Sequence, residues 1–353
     1  MFLLVYIDDI LITGNNESAI SNLLINLNSQ FSMKHLGPAS QFFGISIQST
    51  KDTYFLSQSA YALSILQQTN LAKCNSLSNP SVTKQPSNFK PDNTISDATV
   101  YRRITRGLQY LTITRPDIAH SVNNLAQHMH DPAPVHLYLL KPLLRYIKGT
   151  INFGLPIIKS KLQLRTFSDA NWAGDPITKK STTGFCTFLG ENLVSWTVKK
   201  QTTVSRSSTE SEYRALAAAT ADIIWMRRLI ADFNISHNQP ISIYCDNTSA
   251  IALANNPVFH VRTKHIEIDQ RLLLLGCAGV LPARRLLSWR PGKFPPLCIL
   301  IVLVFAQFFL LFFPLAVPFF YFFLISSSSD FYISGSALLW ISDQEIKALA
   351  SPF

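Results

Sequence analysis

The chain has 353 residues, 47% of them hydrophobic and only 15% charged, which excludes a generally disordered protein and leaves room for more than one core. Its five cysteines, Cys74, Cys186, Cys245, Cys277 and Cys298, are odd in number and form no C-x-x-C pair, which argues against a disulfide scaffold or a structural zinc site and for a reducing compartment. The formal charge of +10 is uneven: residues 271–293 carry Arg271, Arg284, Arg285, Arg290 and Lys293 with no acid, 294–353 sum to −2, and 1–270 hold the remaining +7, a balance that suits a nucleic-acid surface and equally a scatter of solvated cations.

Taken in chain order, residues 1–12 hold two apolar runs, FLLVY and ILIT, meeting at Asp8-Asp9. No cationic segment precedes them and two acids sit mid-run, which argues against a secretory signal and for a hairpin with an acidic tip. Ser18 to Phe31 reads as a helix, with Ile20, Leu23, Leu24 and Leu27 at helical spacing and Glu17 and Ser18 at its start as dipole and cap partners. FFGISIQ and TYFLSQ read as a strand pair, and Asn75 to Thr99, rich in Ser, Asn, Pro and Lys, as a linker or long loop. Residues 101–148 read as helical, broken at Pro116, Pro132, Pro134 and Pro142, each of which lacks a backbone donor.

From Leu162 the pattern changes to LQLRTFS, GFCTFLG and LVSWTV, a meander whose second and third strands turn across Gly190-Glu191-Asn192. Ser205–Ile230 reads as the clearest helix, with a Ser207-x-x-Glu210 capping box and a stripe of Leu216, Ala219, Ile223, Met226 and Ile230. ISIYC is a fourth strand and Thr248–Ala254 a short helix, giving the order β-β-β-α-β-α. Between Phe294 and Ser329 there is no charged residue. That length suffices for a membrane anchor at 294–325 with the Arg-rich 284–293 on the cytoplasmic side, and the Phe, Leu, Ser and Pro content equally suits translated pyrimidine-rich non-coding DNA.

Three acids fall where chemistry would want them. Asp169 and Asp246 end strands of the second module, and Glu212, one turn before Leu216, shares the buried face of its helix. Singly, each is more simply a cap or a turn residue; as a set on one topology they suit a two-metal site, for which all-oxygen ligands select Mg²⁺ or Mn²⁺. Asp8 and Asp9 make a second acidic tip that an ordinary hairpin turn also explains.

YIDDILITG, FSMKHLGPASQFFGISI, TRPDIAHSVNNLAQHMHDPAPVH, LLRYIKGT, SDANWAGD, KKSTTGFCTFLG, VSWTVKKQTTVSRSSTESEYRALA and IYCDNTSAIALANNPVFHVRTKHIEID occur in this order. Over about residues 1–270 the chain thereby resembles the C-terminal part of the Pol polyprotein of plant Ty1/copia-type retrotransposons. The resemblance implies an α+β fold in four parts: a partial reverse transcriptase palm at 1–74, a linker and helical connection at 75–155, an RNase H-like mixed sheet with flanking helices at 156–275, and a divergent basic then hydrophobic tail at 276–353.

It further implies that Asp8 and Asp9 match the polymerase's adjacent metal-binding aspartates, and Asp169, Glu212 and Asp246 the first three RNase H acids. His265 lies in R-T-K-H-I-E-I-D near the end of the module, and Asp269 or Glu267 could stand in for a fourth acid. Lys179, Lys180, Lys199, Lys200 and Arg206 are the candidate phosphate partners, an RNA·DNA hybrid the candidate ligand, and no small-molecule cofactor is implied. The fingers and early palm, and the family's L-A-D-x-x-T-K segment, have no counterpart in this sequence. The implied family-level function is RNA-directed DNA polymerase plus RNase H in degenerate form, with hydrolysis of RNA in a hybrid rather than DNA synthesis as the activity of this chain alone, and the alternative is a non-enzymatic transposon remnant, membrane-associated if the 294–325 run is an anchor.

Overall fold

The structure is a computed structural model, and it describes residues 2–6, 9–14, 16–31, 34–81, 98–233, 235, 241–255, 280–282 and 323–324. Strands β1 (Phe2–Tyr6) and β2 (Asp9–Thr13) form the hairpin expected from the two apolar runs, paired from Phe2 with Thr13 to Tyr6 with Asp9. Helix α1 (Glu17–Gln30) follows, and its cap is Asn16 rather than Ser18: the Asn16 Oδ1 accepts from the Ala19 N–H at 3.0 Å. The short β3 (Gln41–Phe42), β4 (Ile45–Ser49) and β5 (Thr53–Ser57) make an antiparallel meander, and α2 (Ser59–Gln68) follows. Most of the expected 75–99 linker lies outside the described residues.

Helices α3 (Ala98–Leu111), α4 (Ala119–Ala126) and α5 (Pro134–Gly149) follow, with a single 3-10 turn at Pro116–Ile118. Two of the expected prolines act as starts instead of breaks: Pro116 and Pro134 open their helices, where the missing N–H would have had no helical partner. Pro142 corrects the expectation outright, because α5 runs through it. The neighbouring Leu140, Leu143, Leu144 and Ile147 are completely buried, and their burial outweighs one lost backbone hydrogen bond. Around them α2, α3, α4 and α5 share a helical core with Tyr101, Ile104 and Leu108.

Strand β6 (Gly154–Ile158) then returns to pair antiparallel with β5, completing a four-stranded sheet in the order β3-β4-β5-β6. The second sheet follows at once. β7 (Leu164–Asn171), β8 (Thr182–Leu189) and β9 (Asn192–Lys200) form the expected meander, α6 (Ser208–Asp232) crosses it, and β10 (Ser242–Cys245) adds parallel to β7. Helix α7 (Thr248–Asn255) comes next, and β11 (Val280–Pro282) pairs parallel to β10, so the order is β11-β10-β7-β8-β9. A three-strand meander followed by two parallel additions beside its first strand is the α+β, RNase H-like arrangement expected.

What seats α6 is its stripe. Leu216, Ala219, Ile223, Met226 and Ile230 are all fully buried, packed with Leu164, Leu189, Val194 and Ile243 of the sheet in one hydrophobic cluster. That cluster runs on through Leu4, Phe42, Ile45, Leu56 and Ile157, so the first hairpin, the four-stranded sheet and the five-stranded sheet share apolar contacts. Asn192 ties the two larger sheets in polar terms as well: its amide accepts from the Ile158 N–H at 2.7 Å and donates to the Ile158 carbonyl at 2.9 Å. Of the 294–325 run only Phe323–Leu324, β12, is described, paired antiparallel with β1. Among the described residues no helix is long and apolar enough to cross a membrane.

Candidate active site

The site is built where β7, β10 and the first turns of α6 meet. Helix α6 starts as the sequence predicts, with the Ser207 hydroxyl accepting from the Glu210 N–H at 3.2 Å. The return half of the capping box is displaced by one residue, since the Glu210 carboxylate accepts from the Arg206 N–H at 2.9 Å and pairs with Arg214 at 2.7 Å. Glu210 is thereby committed to holding the helix end. Glu212, two residues on, is turned inward.

Glu212 is only 6% exposed. Its Oε1 accepts from the Ala170 N–H at 3.1 Å, which pins the carboxylate beside the next residue back on β7, Asp169. Its Oε2 accepts from the Cys245 thiol at 3.8 Å, at the end of β10 and directly before Asp246. Donor atoms of Glu212, Cys245 and Asp246 all lie within 4.8 Å of one another. Burial, followed by the negative charges of Asp169 and Asp246, pushes the Glu212 carboxyl up to about 7, as expected for a desolvated acid among acids. Asp169 and Asp246 themselves are exposed, at the open edge of the site.

Cys245 is the member that the sequence reading missed. Burial pushes its thiol up to about 11, so it is a neutral donor to Glu212 at ordinary pH. Strand alternation held the signal: Cys245 stands two residues after the fully buried Ile243, on the same inward face.

The remaining expected residues fall in different places. Asp8 lies outside the described residues, and Asp9 opens β2 opposite Tyr6. His265, Glu267 and Asp269 also lie outside them. Lys179, Lys199 and Arg206 are exposed and Lys180 half-buried, all in or beside the loops at the edge of the five-stranded sheet. Lys200 differs from its neighbours in being ion-paired with Asp175.

Glu212 and Asp246 come within 4.8 Å of each other, and Asp169 precedes the residue whose N–H holds Glu212; such an acidic set suits a hard divalent cation, because a cation would relieve the negative charge that, together with burial, raises Glu212. The sheet order is that of an RNase H-like α+β module, and the acidic corner lies at its edge.

Comparison with known proteins places that class in a lineage. Residues 1–83 match the family of reverse transcriptases (RNA-dependent DNA polymerases). The chain is 49% identical over 226 residues to an uncharacterised mitochondrial protein of Arabidopsis thaliana, covering 94% of that protein. It is 42% identical over 274 residues to the retrovirus-related Pol polyprotein from transposon RE1 of the same plant, covering 77% of this chain. It spans 19% of that polyprotein's length. Among solved structures, the foamy viral protease-reverse transcriptase in complex with double-stranded DNA gives a TM-score of 0.45 at 12% identity, over 81% of this chain and 47% of that one. RNase H1 of Halobacterium salinarum gives 0.25 at 18% identity, over 35% and 86%. The chain belongs to the Pol polyprotein family of copia-type retrotransposons.

Proposed function

We propose that the chain hydrolyses the RNA strand of an RNA·DNA hybrid, with Asp169, Glu212 and Asp246 as the residues that hold the divalent cations, Mg²⁺ or Mn²⁺, on which the reaction depends. The observation that carries this reading is Glu212: an acid 6% exposed, aimed from α6 at the end of β7 and raised by its burial and then by two further acids. Burial of that kind is costly in a fold that has no use for the charge.

When bound, the cations polarise the scissile phosphate and lower the pKa of water. The protein's own share of the chemistry is geometric. The Ala170 N–H fixes one oxygen of Glu212 and the Cys245 thiol the other, so the carboxylate cannot rotate away from Asp169. Asp169 and Asp246 stand exposed at the rim, where a phosphate can reach them. Water attacks phosphorus in line, the bond from phosphorus to the 3′ oxygen breaks, and the leaving oxygen takes a proton from solvent. The products are a 5′-phosphate and a 3′-hydroxyl.

In this reading the segments 1–74 and 75–155 are palm and connection, 156–275 is the hydrolytic module and 276–353 the divergent tail. Lys179, Lys180, Lys199 and Arg206 line the approach of the phosphate backbone. Lys200 serves the Asp175 turn.

The test is cleavage of an end-labelled RNA·DNA hybrid by the full chain in Mg²⁺ and in Mn²⁺, beside Asp169→Asn and Asp246→Asn. The expected result is cutting of the RNA strand alone, reduced at least about 100-fold in each variant, the scale on which removing one charged participant acts in such sites. A folded wild-type chain that leaves the hybrid intact would overturn the reading.

A further inference from the structure

Between Asp169 and the basic turn stands a tryptophan that no interior claims. Trp172 directly follows β7, is 48% exposed, and is held by its ring nitrogen, which donates to the Ser205 carbonyl at 3.1 Å. That bond joins two loops, 172–181 after β7 and 201–207 before α6. A second bond joins the same pair, the Gln201 N–H donating to the Ser181 carbonyl at 2.8 Å, and within the first loop the Ala173 N–H donates to the Ser181 hydroxyl at 3.1 Å. The Ser205 hydroxyl in turn donates to the Gln201 amide oxygen at 2.8 Å. The indole is therefore fixed at its polar edge while much of its surface stays in water.

Two further apolar side chains share these loops without being covered: Val204 is 51% exposed and Ile177 88%. The charges around them are of one sign. In the two loops with the adjoining end of β9, residues 172–181 and 199–207, there are five cations, Lys179, Lys180, Lys199, Lys200 and Arg206, against one acid, Asp175. That acid is spent internally, pairing with Lys200 and accepting from the Ile177 and Thr178 N–H groups at 2.8 Å each. A rigid aromatic with an open surface, in loops where Lys179, Lys180, Lys199 and Arg206 outnumber the acids, is the chemistry that receives a nucleic-acid strand: the cations meet phosphates and the ring packs on sugar or base.

We propose that Trp172, with Val204 beside the Ser205 carbonyl that anchors it, is a substrate-contacting residue that grips the hybrid next to the carboxylates. The inference rests on the hydrolase reading above and adds to it the residue that positions the strand. Ordering an exposed indole costs little here, because the hydrogen bond to Ser205 has already fixed it.

The experiment measures binding of a fluorescein-labelled RNA·DNA hybrid to the full chain by anisotropy, without divalent metal so that nothing is cut, for wild type, Trp172→Ala, Trp172→Phe and Val204→Asp. Loss of one stacked contact is expected to raise Kd about tenfold in Trp172→Ala. Trp172→Phe is expected to recover most of that, since a ring remains. Val204→Asp leaves the fold untouched because its side chain is exposed, and it is expected to weaken binding by placing a carboxylate among phosphates. With Mg²⁺ present, Trp172→Ala is expected to raise KM and leave kcat near wild type. Wild-type affinity in both Trp172→Ala and Val204→Asp would overturn this inference alone. Failure of the wild-type chain to bind the hybrid at all would overturn it together with the hydrolase reading.

Discussion

Glu212 is the residue on which the account turns, and its position was legible in the sequence. Counting back one turn from Leu216 puts it on the face that the stripe buries, and burial then follows from the stripe being a true core face. What the sequence could not show is the pair of donors that hold it. The Ala170 N–H is a backbone group, present at every position, and its aim depends on how α6 lies across β7. The inward turn of Cys245 was written in the alternation of β10 but carries no chemical label. A carboxyl raised in the folded state to about 7 from an ordinary 4.5 binds a proton that the unfolded chain has released, so its favourable contribution is complete below pH 4.5 and is lost as pH rises through 7. The metal-free protein is thus expected to lose stability between pH 5 and pH 8 through this group. Glu212→Gln, which keeps the shape without the charge, is expected to be more stable than wild type at pH 8 in EDTA, by on the order of 2 kcal/mol. The check is thermal unfolding at both pH values: a Glu212→Gln protein less stable than wild type at pH 8 without metal would show that the charge is compensated by something other than a cation.

At the scale of elements, periodicity located the first hairpin, α1, the helical stretch at 101–148, both meanders, α6, β10 and α7, but not α2 or β6. Helix α1 starts one cap earlier than composition suggested, because Asn16 has the better side chain for the Ala19 N–H. Helix α5 runs through Pro142 because its flanking leucines are buried, and local propensity gives way to packing when the two conflict. The segment TRPDI shows the opposite limit: its charged pair has a meaning only in three dimensions. Arg115 is 2% exposed and spans two elements, pairing with Asp117 at 2.7 Å and donating to the Thr150 carbonyl at 2.8 Å and its hydroxyl at 2.7 Å. The Tyr146 hydroxyl completes the cage by donating to Asp117 at 2.9 Å, and the Phe153 ring lies 5.4 Å from the guanidinium. This cage locks the 3-10 turn at 116–118 to the end of α5. Arg115→Ala removes the cation from Asp117, which keeps only the Tyr146 hydroxyl, and one donor from the Thr150 carbonyl, and is expected to cost roughly 3 kcal/mol, read as a shift of the denaturant midpoint with little change in slope. An unshifted midpoint would show that the cage holds nothing.

For the whole molecule, the distribution of the core decides how the parts belong together. One apolar cluster joins Leu4, Phe42 and Leu56 to Leu164, Leu216 and Ile243, and Asn192 bridges β6 to β9. The family resemblance divides the chain by ancestry, whereas the contacts join the first hairpin and the four-stranded sheet to the five-stranded sheet through a shared interior. That joining was not legible in the sequence, because apolar residues at strand spacing say which face is buried and not what buries it. The same joining sets the acidic corner at the edge of a packed body, with the basic loops beside it. The chemistry of the ends left on the RNA strand of a hybrid digested by the full chain, with Asp169→Asn in parallel, decides whether water attacks at this acidic corner. Attack by water at a site of three carboxylates predicts 5′-phosphate and 3′-hydroxyl ends in the wild-type digest, and their disappearance in the variant. Ends carrying 2′,3′-cyclic phosphate, or 5′-phosphate ends produced equally by Asp169→Asn, would contradict it.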